Sequence, residues 1–160
     1  MNQRKAQAWG FDVIVATGIF IFGMVVFYIY TINYPNGEQE KFDDLLYEGN
    51  IIADNLFSEG YPENWTILSV SKIGLTSKNK INQDKLEEFY DLVSLDYSRT
   101  KSLFGVKYNY FVNFSQPIVV RSSNVEGIGF APDNPNNNIK ISRIIVYNNK
   151  PATMEIQVWD

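Results

Sequence analysis

The chain contains no cysteine and no histidine. Without cysteine no disulfide can staple it, so packing alone must hold its fold together. Without histidine it lacks the commonest general base at neutral pH and the commonest transition-metal ligand. The two absences together exclude zinc and copper sites built on Cys and His, and they exclude Ser-His and Cys-His nucleophilic devices. Carboxylates, Lys or Tyr could still carry catalysis, but no spacing singles out such a pair. We therefore expect no enzyme, no cofactor and no metal site. Positive charge is scarce as well. Residues 33–160 hold 12 Lys and Arg against 17 Asp and Glu, a net charge of −5. Nucleic acid requires clustered cations to neutralise its phosphates, so no nucleic-acid partner is expected.

What the chain does have is one long uncharged run. It begins at Val13 and ends at Ile32, and Asn2-Gln3-Arg4-Lys5 lies ahead of it. A helix of that length is about 30 Å long, the thickness of a bilayer's hydrocarbon core. A secretory signal has a shorter apolar core and a small-residue cleavage site. Here the run ends in Tyr30-Thr31-Ile32-Asn33-Tyr34, which offers no such site. The run therefore reads as a retained membrane anchor whose partner is the lipid bilayer. Arg4 and Lys5 place residues 1–12 in the cytoplasm, because loops rich in Lys and Arg stay inside. The span is then 13–32, and 33–160 form one extracytoplasmic domain of a single-pass protein in the cytoplasmic membrane. Trp9, Phe11, Phe27, Tyr28, Tyr30 and Tyr34 lie at the two edges, where such rings favour the interface.

Beyond the turn signal Tyr34-Pro35-Asn36-Gly37, apolar residues recur three and four apart from Glu38 to about Phe57. Phe42, Leu45, Leu46, Ile52, Ala53, Leu56 and Phe57 make the stripe with Gly49, and Glu40, Asp43, Asp44, Glu48 and Asp54 the solvent side. Residues 65–75 form a short extended stretch with Val70, Ile73 and Leu75 in the core. A third helix follows, capped by Asn82, buried along Leu86, Phe89, Tyr90, Val93, Tyr97 and Phe104, and stopped by Gly105. From Val106 the period changes to two. Tyr108, Tyr110, Val112 and Phe114 alternate with Lys107, Asn109, Phe111 and Asn113, and Ile118 to Arg121 extends or follows that strand. Residues 122–138 read as a loop. Alternating runs from Ile139 to Tyr147 and from Ala152 to Trp159 read as a β-hairpin. The fold class is α+β: an N-terminal transmembrane helix, then amphipathic helices packed on a C-terminal antiparallel β-sheet.

Asn64-Trp65-Thr66 and Asn113-Phe114-Ser115 match the N-glycosylation pattern, which makes Asn64 and Asn113 candidate acceptors. Asn113 falls inside an expected strand. Residues 133–138, Asp-Asn-Pro-Asn-Asn-Asn, lack the ordered spacing of a calcium loop and read as an Asx-rich turn.

Arg4-Lys5-Ala6-Gln7 directly before the apolar helix resembles the class III signal of archaeal type IV pilins and related secreted subunits. The resemblance implies a prepilin-type peptidase that cuts on the cytoplasmic side, here between Ala6 and Gln7, and leaves the helix in the mature chain. It also implies a pilin-like fold, with other pilin-like subunits as partners through the N-terminal helix. In many members the fifth mature residue is Glu, which pairs with a neighbour's terminal amine during assembly. That position here is Phe11, and the acid follows as Asp12. Asp12 either makes that charge pair or is an exposed acid favoured by the helix dipole. The expected role is a membrane-anchored pilin-like subunit of a surface filament or secretion assembly. The alternative is an uncleaved single-pass protein whose outer domain binds a ligand or a partner protein.

Overall fold

A computed structural model describes residues 3–33, 37–78 and 80–160, with side chains for 10–32, 39–78 and 80–160. The chain divides near residue 38 into two units.

The first unit is helix α1, Gln3–Asn33. Within it Gly10–Ile32 is long and apolar enough to cross a membrane, and all of its residues are exposed. A helix is the form this stretch must take in lipid, because every peptide group inside it finds its partner along the same segment. Thr31 follows that rule with its side chain, its Oγ1 donating to the Phe27 carbonyl at 2.9 Å. The Ala6–Gln7 bond lies within the helical backbone of Gln3–Asn33.

The second unit is α+β. Helix α2 (Gly37–Leu56) leads to a small hairpin of β1 (Thr76–Ser77) and β2 (Lys80–Ile81). Helices α3 (Gln83–Leu95) and α4 (Tyr97–Phe104) follow. The rest is β: β3 (Asn109–Phe114), β4 (Ile118–Val120), β5 (Ser123–Val125), β6 (Ile128–Gly129), β7 (Asn138–Tyr147) and β8 (Lys150–Trp159). Strands β6, β3, β8 and β7 lie in that order in one antiparallel sheet. Strand alternation puts Tyr110, Val112 and Phe114 of β3, Met154, Ile156 and Val158 of β8, and Ile139, Ile141, Ile145 and Tyr147 of β7 on the buried side. The helices supply Leu45, Ile52, Ala53, Leu56, Leu86, Phe89, Leu92 and Phe104 to the same core. At the β7–β8 turn Asn148 and Asn149 both take positive φ, 50° and 59°. That is the primed two-residue turn whose twist matches the strands it joins.

Several expectations are corrected here. The third helix is two helices, because Asp96 ends α3 and its side chain then caps α4 by accepting the Arg99 N–H at 2.9 Å. The loop over 122–138 contains β5 and β6, and β4 pairs with β5 apart from the main sheet. Between residues 65 and 75 there is no strand but a run of turns, tied down by an isolated bridge between Tyr61 and Lys72. Phe42, Leu46 and Phe57 are exposed. At 100° per residue Leu46 and Phe57 fall on the flank of the stripe centred on Leu45, Gly49, Ile52 and Leu56. Phe42 lies beside Lys41, which pairs with Asp160 beyond the end of β8.

Glu48 is the sharpest correction. Placed on the solvent side by its charge, it is only 8% exposed. Its Oε2 accepts the N–H groups of Lys107 and Tyr108, both at 3.0 Å, just ahead of β3. A carboxylate is a strong acceptor for two donors that strand pairing leaves unused. Glu48→Ala orphans both N–H groups and should lower stability by about 2–4 kcal/mol. Glu48→Gln keeps an acceptor oxygen and should lose less than half of that. Urea denaturation of the detergent-solubilised chain, followed by tryptophan fluorescence, reads the difference.

Candidate functional site

Asp12 is the one charged residue between Gly10 and Ile32, and its side chain is exposed. Gly18 and Gly23 lie further along α1. A methyl group added at either would meet nothing within 4 Å, so no contact among the described residues requires a glycine there. The aromatic side chains of Phe11 at one end, and of Phe27, Tyr28 and Tyr30 at the other, are also exposed. The side chains of Ala6 and Gln7 lie outside the described residues.

In the second unit, Asn64 stands in a turn with its side chain exposed. The next residue, Trp65, is buried and its Nε1 donates to the Gly74 carbonyl at 2.9 Å, which fixes the turn. Asn113 lies within β3 between β6 and β8, opposite Glu155. It is half-buried, and its Oδ1 is shielded with no hydrogen-bond partner among the described residues. Of the two sequon asparagines, Asn64 is the exposed one. Asp133 and Asn134 are exposed, and Asn134 takes a φ of 50°, as a turn requires. Among the described residues no three Asp or Glu side chains converge as a metal-binding group would.

Two polar devices inside the second unit were not legible as such. Lys85 is only 5% exposed, and its Nζ donates to the carbonyls of Glu59 at 2.7 Å and Thr76 at 3.1 Å. Its signal was positional, since Lys85 shares helical spacing with Phe89 and Leu92 and so belongs to the buried stripe. Beside it Glu88 accepts the Ile67 N–H at 2.8 Å, so α3 holds the turns of 59–76 through two charged side chains. The second device is a hydroxyl cluster. Tyr97 accepts the Tyr110 N–H at 2.7 Å and donates to the Tyr110 carbonyl at 3.2 Å. The Tyr110 hydroxyl meets Thr100 Oγ1.

Comparison with known proteins adds no relative: no protein family, no curated protein and no solved structure matches the chain.

Burial pushes the Tyr97 hydroxyl up to about 12, and burial raises Tyr110 above its ordinary value too. The folded state thus keeps protons that the unfolded chain, with an ordinary tyrosine value of about 10, releases. The stability linked to these groups is intact below about pH 10 and declines as pH rises towards about 12. Tyr97→Phe should lower stability at neutral pH, by stranding the Tyr110 N–H, and should make the alkaline decline shallower. Urea midpoints measured from about pH 9 to about pH 12 test both effects.

Proposed function

We propose that this chain is a membrane-anchored, pilin-like subunit with a structural role in a surface filament or secretion assembly. One observation carries the reading: an apolar helix from Gly10 to Ile32 with every residue exposed, in a chain whose second unit is α+β with its own core. The layout of a helix across an antiparallel sheet supports it, as does the resemblance of Arg4-Lys5-Ala6-Gln7 to a prepilin signal. In this reading the prepilin-type peptidase cuts before Gln7. Subunits then leave lipid by packing α1 helices side by side, with Gly18 and Gly23 as points of close approach. Asp12 pairs with the new terminal amine of a neighbour, a pairing favoured at the membrane edge where each charge is poorly solvated.

Mass spectrometry of native membranes tests the processing step directly. A mature chain beginning at Gln7 is the expected result. An intact N-terminus would leave the alternative, a single-pass protein whose outer domain binds a ligand or a partner. A start beyond Asn33 would remove the anchor and overturn both readings. Asp12→Asn should cut recovery in sheared surface filaments by about tenfold or more, the loss of one poorly solvated ion pair. Its abundance in the membrane fraction should not change. Normal recovery would sink the charge pairing.

A further inference from the structure

A hollow of about 320 Å³ opens between the C-terminal half of α3 and the outer strand β6. Tyr90, Ser94, Tyr97, Gly129 and Phe130 are among the residues that line it. Phe130 is 61% exposed. It stacks on Trp159 at 6.4 Å between centroids and 21° between planes, and lies 6.4 Å from the Tyr97 ring. An exposed aromatic ring with two ring neighbours thus lines the hollow.

Tyr90, Ser94 and Gly129 bring polar groups to the residues that line the same hollow. The Tyr90 hydroxyl has no partner among the described residues. Ser94 Oγ donates to the Tyr90 carbonyl at 2.8 Å, which leaves its lone pairs open. The Phe130 N–H bonds to the Tyr110 carbonyl, so the Gly129 C=O, trans to it in the same peptide, points away from β3. No residue lining the hollow is charged, although the unit as a whole is acidic. An ionic ligand would lose its hydration there and gain no counter-charge.

We propose that this hollow binds a neutral sugar ring, laid against Phe130 and hydrogen-bonded by Tyr90, Ser94 and the Gly129 peptide. The volume is at the small end for ligand pockets, and a mostly apolar lining with a few polar residues is what such pockets use. Sugars match it because they carry an apolar C–H face and a rim of hydroxyls. An extended peptide fits less well. Strand β6 has only two residues, and Gly129 takes a φ of 121°, outside the range of a strand that could template another. The site belongs to the second unit alone and holds whether or not the N-terminus is cut.

The test uses the full chain in phosphocholine micelles, which carry no sugar headgroup. Saturation-transfer NMR would be recorded with the methyl glycosides of glucose, galactose, mannose and N-acetylglucosamine. At least one should bind saturably. Phe130→Leu, which keeps bulk and removes the π face, should weaken it by about tenfold. Phe130→Ala should weaken it at least as much. Leu68→Ala, at a residue 93% exposed outside the hollow, should leave it unchanged. Absence of saturable binding by all four glycosides overturns the proposal. So does wild-type affinity in Phe130→Leu with an unchanged urea midpoint, or saturable binding of a neutral extended peptide in place of any glycoside.

Discussion

Three consecutive residues of α2 hold the helix to three places on the sheet. Glu48 reaches the backbone leading into β3. Gly49 faces β7 and β8 so closely that a Cβ would stand 2.6 Å from Ile141 Cδ1 and 3.1 Å from Ile139 Cδ1. Asn50 Oδ1 accepts from Arg143 of β7 at 3.0 Å, while its Nδ2 donates to the Leu46 carbonyl. The glycine costs the helix about 1 kcal/mol in propensity. In return the backbone comes down onto branched side chains with no gap, and close packing of that kind is worth more than the propensity lost. Glu48 and Asn50 then fix the direction of the helix across the strands, which hydrophobic contact alone does not specify.

The same division of labour runs through the rest of the core. Ring edges meet ring faces where Phe104 contacts Phe89 at 75° and Tyr110 at 87°, the arrangement that aromatic quadrupoles favour. Tyrosine brings hydroxyls into that interior, and each needs a partner. Tyr97 answers both peptide groups of Tyr110, and Thr100 answers the Tyr110 hydroxyl. A chain without disulfides thus gains its order from packed rings and from polar groups that are satisfied only in one arrangement.

Periodicity made much of this fold readable. The apolar run of α1, the stripe of α2, the Asn82 cap and the β7–β8 hairpin all rest on interactions between near neighbours in the chain. What stayed hidden depends on distant ones. Glu48 looked like a solvent residue because its charge, not its hydrogen-bond partners 59 and 60 residues away, is visible in sequence. Lys85 was hidden for the same reason. Strands β5 and β6 are three and two residues long, too short to show alternation, and they exist because β4 and β3 offer them edges. The break at Asp96 was local, but an acid inside an apolar stripe is also an ordinary helix residue. The hollow beside Phe130 has no sequence signature, since it is assembled from α3 and from a segment that read as loop.

The position of Asp12 gives the N-terminal helix its own constraint. A carboxylate at the bilayer midplane would be costly, but Asp12 is the third residue of the Gly10–Ile32 stretch and so lies at its edge. On a helix its neighbours along the same face are three and four residues away. Those positions hold Ala8, Trp9, Val15 and Ala16, none of them a cation. Lys5 and Arg4 are seven and eight residues back, about two turns and roughly 10–12 Å along the axis, beyond contact distance. The helix therefore supplies Asp12 with no counter-charge of its own. In a lone helix water at the interface must solvate the carboxylate. In the proposed bundle of helices that water would be displaced, and a cation brought to the same depth by a neighbouring chain would offset the cost of the charge. A terminal amine at Gln7 would lie five residues from Asp12, about 7.5 Å along the axis. Under the proposed function, a modest axial stagger between adjacent helices would bring the two charges level, and the acid would then set the register of their association.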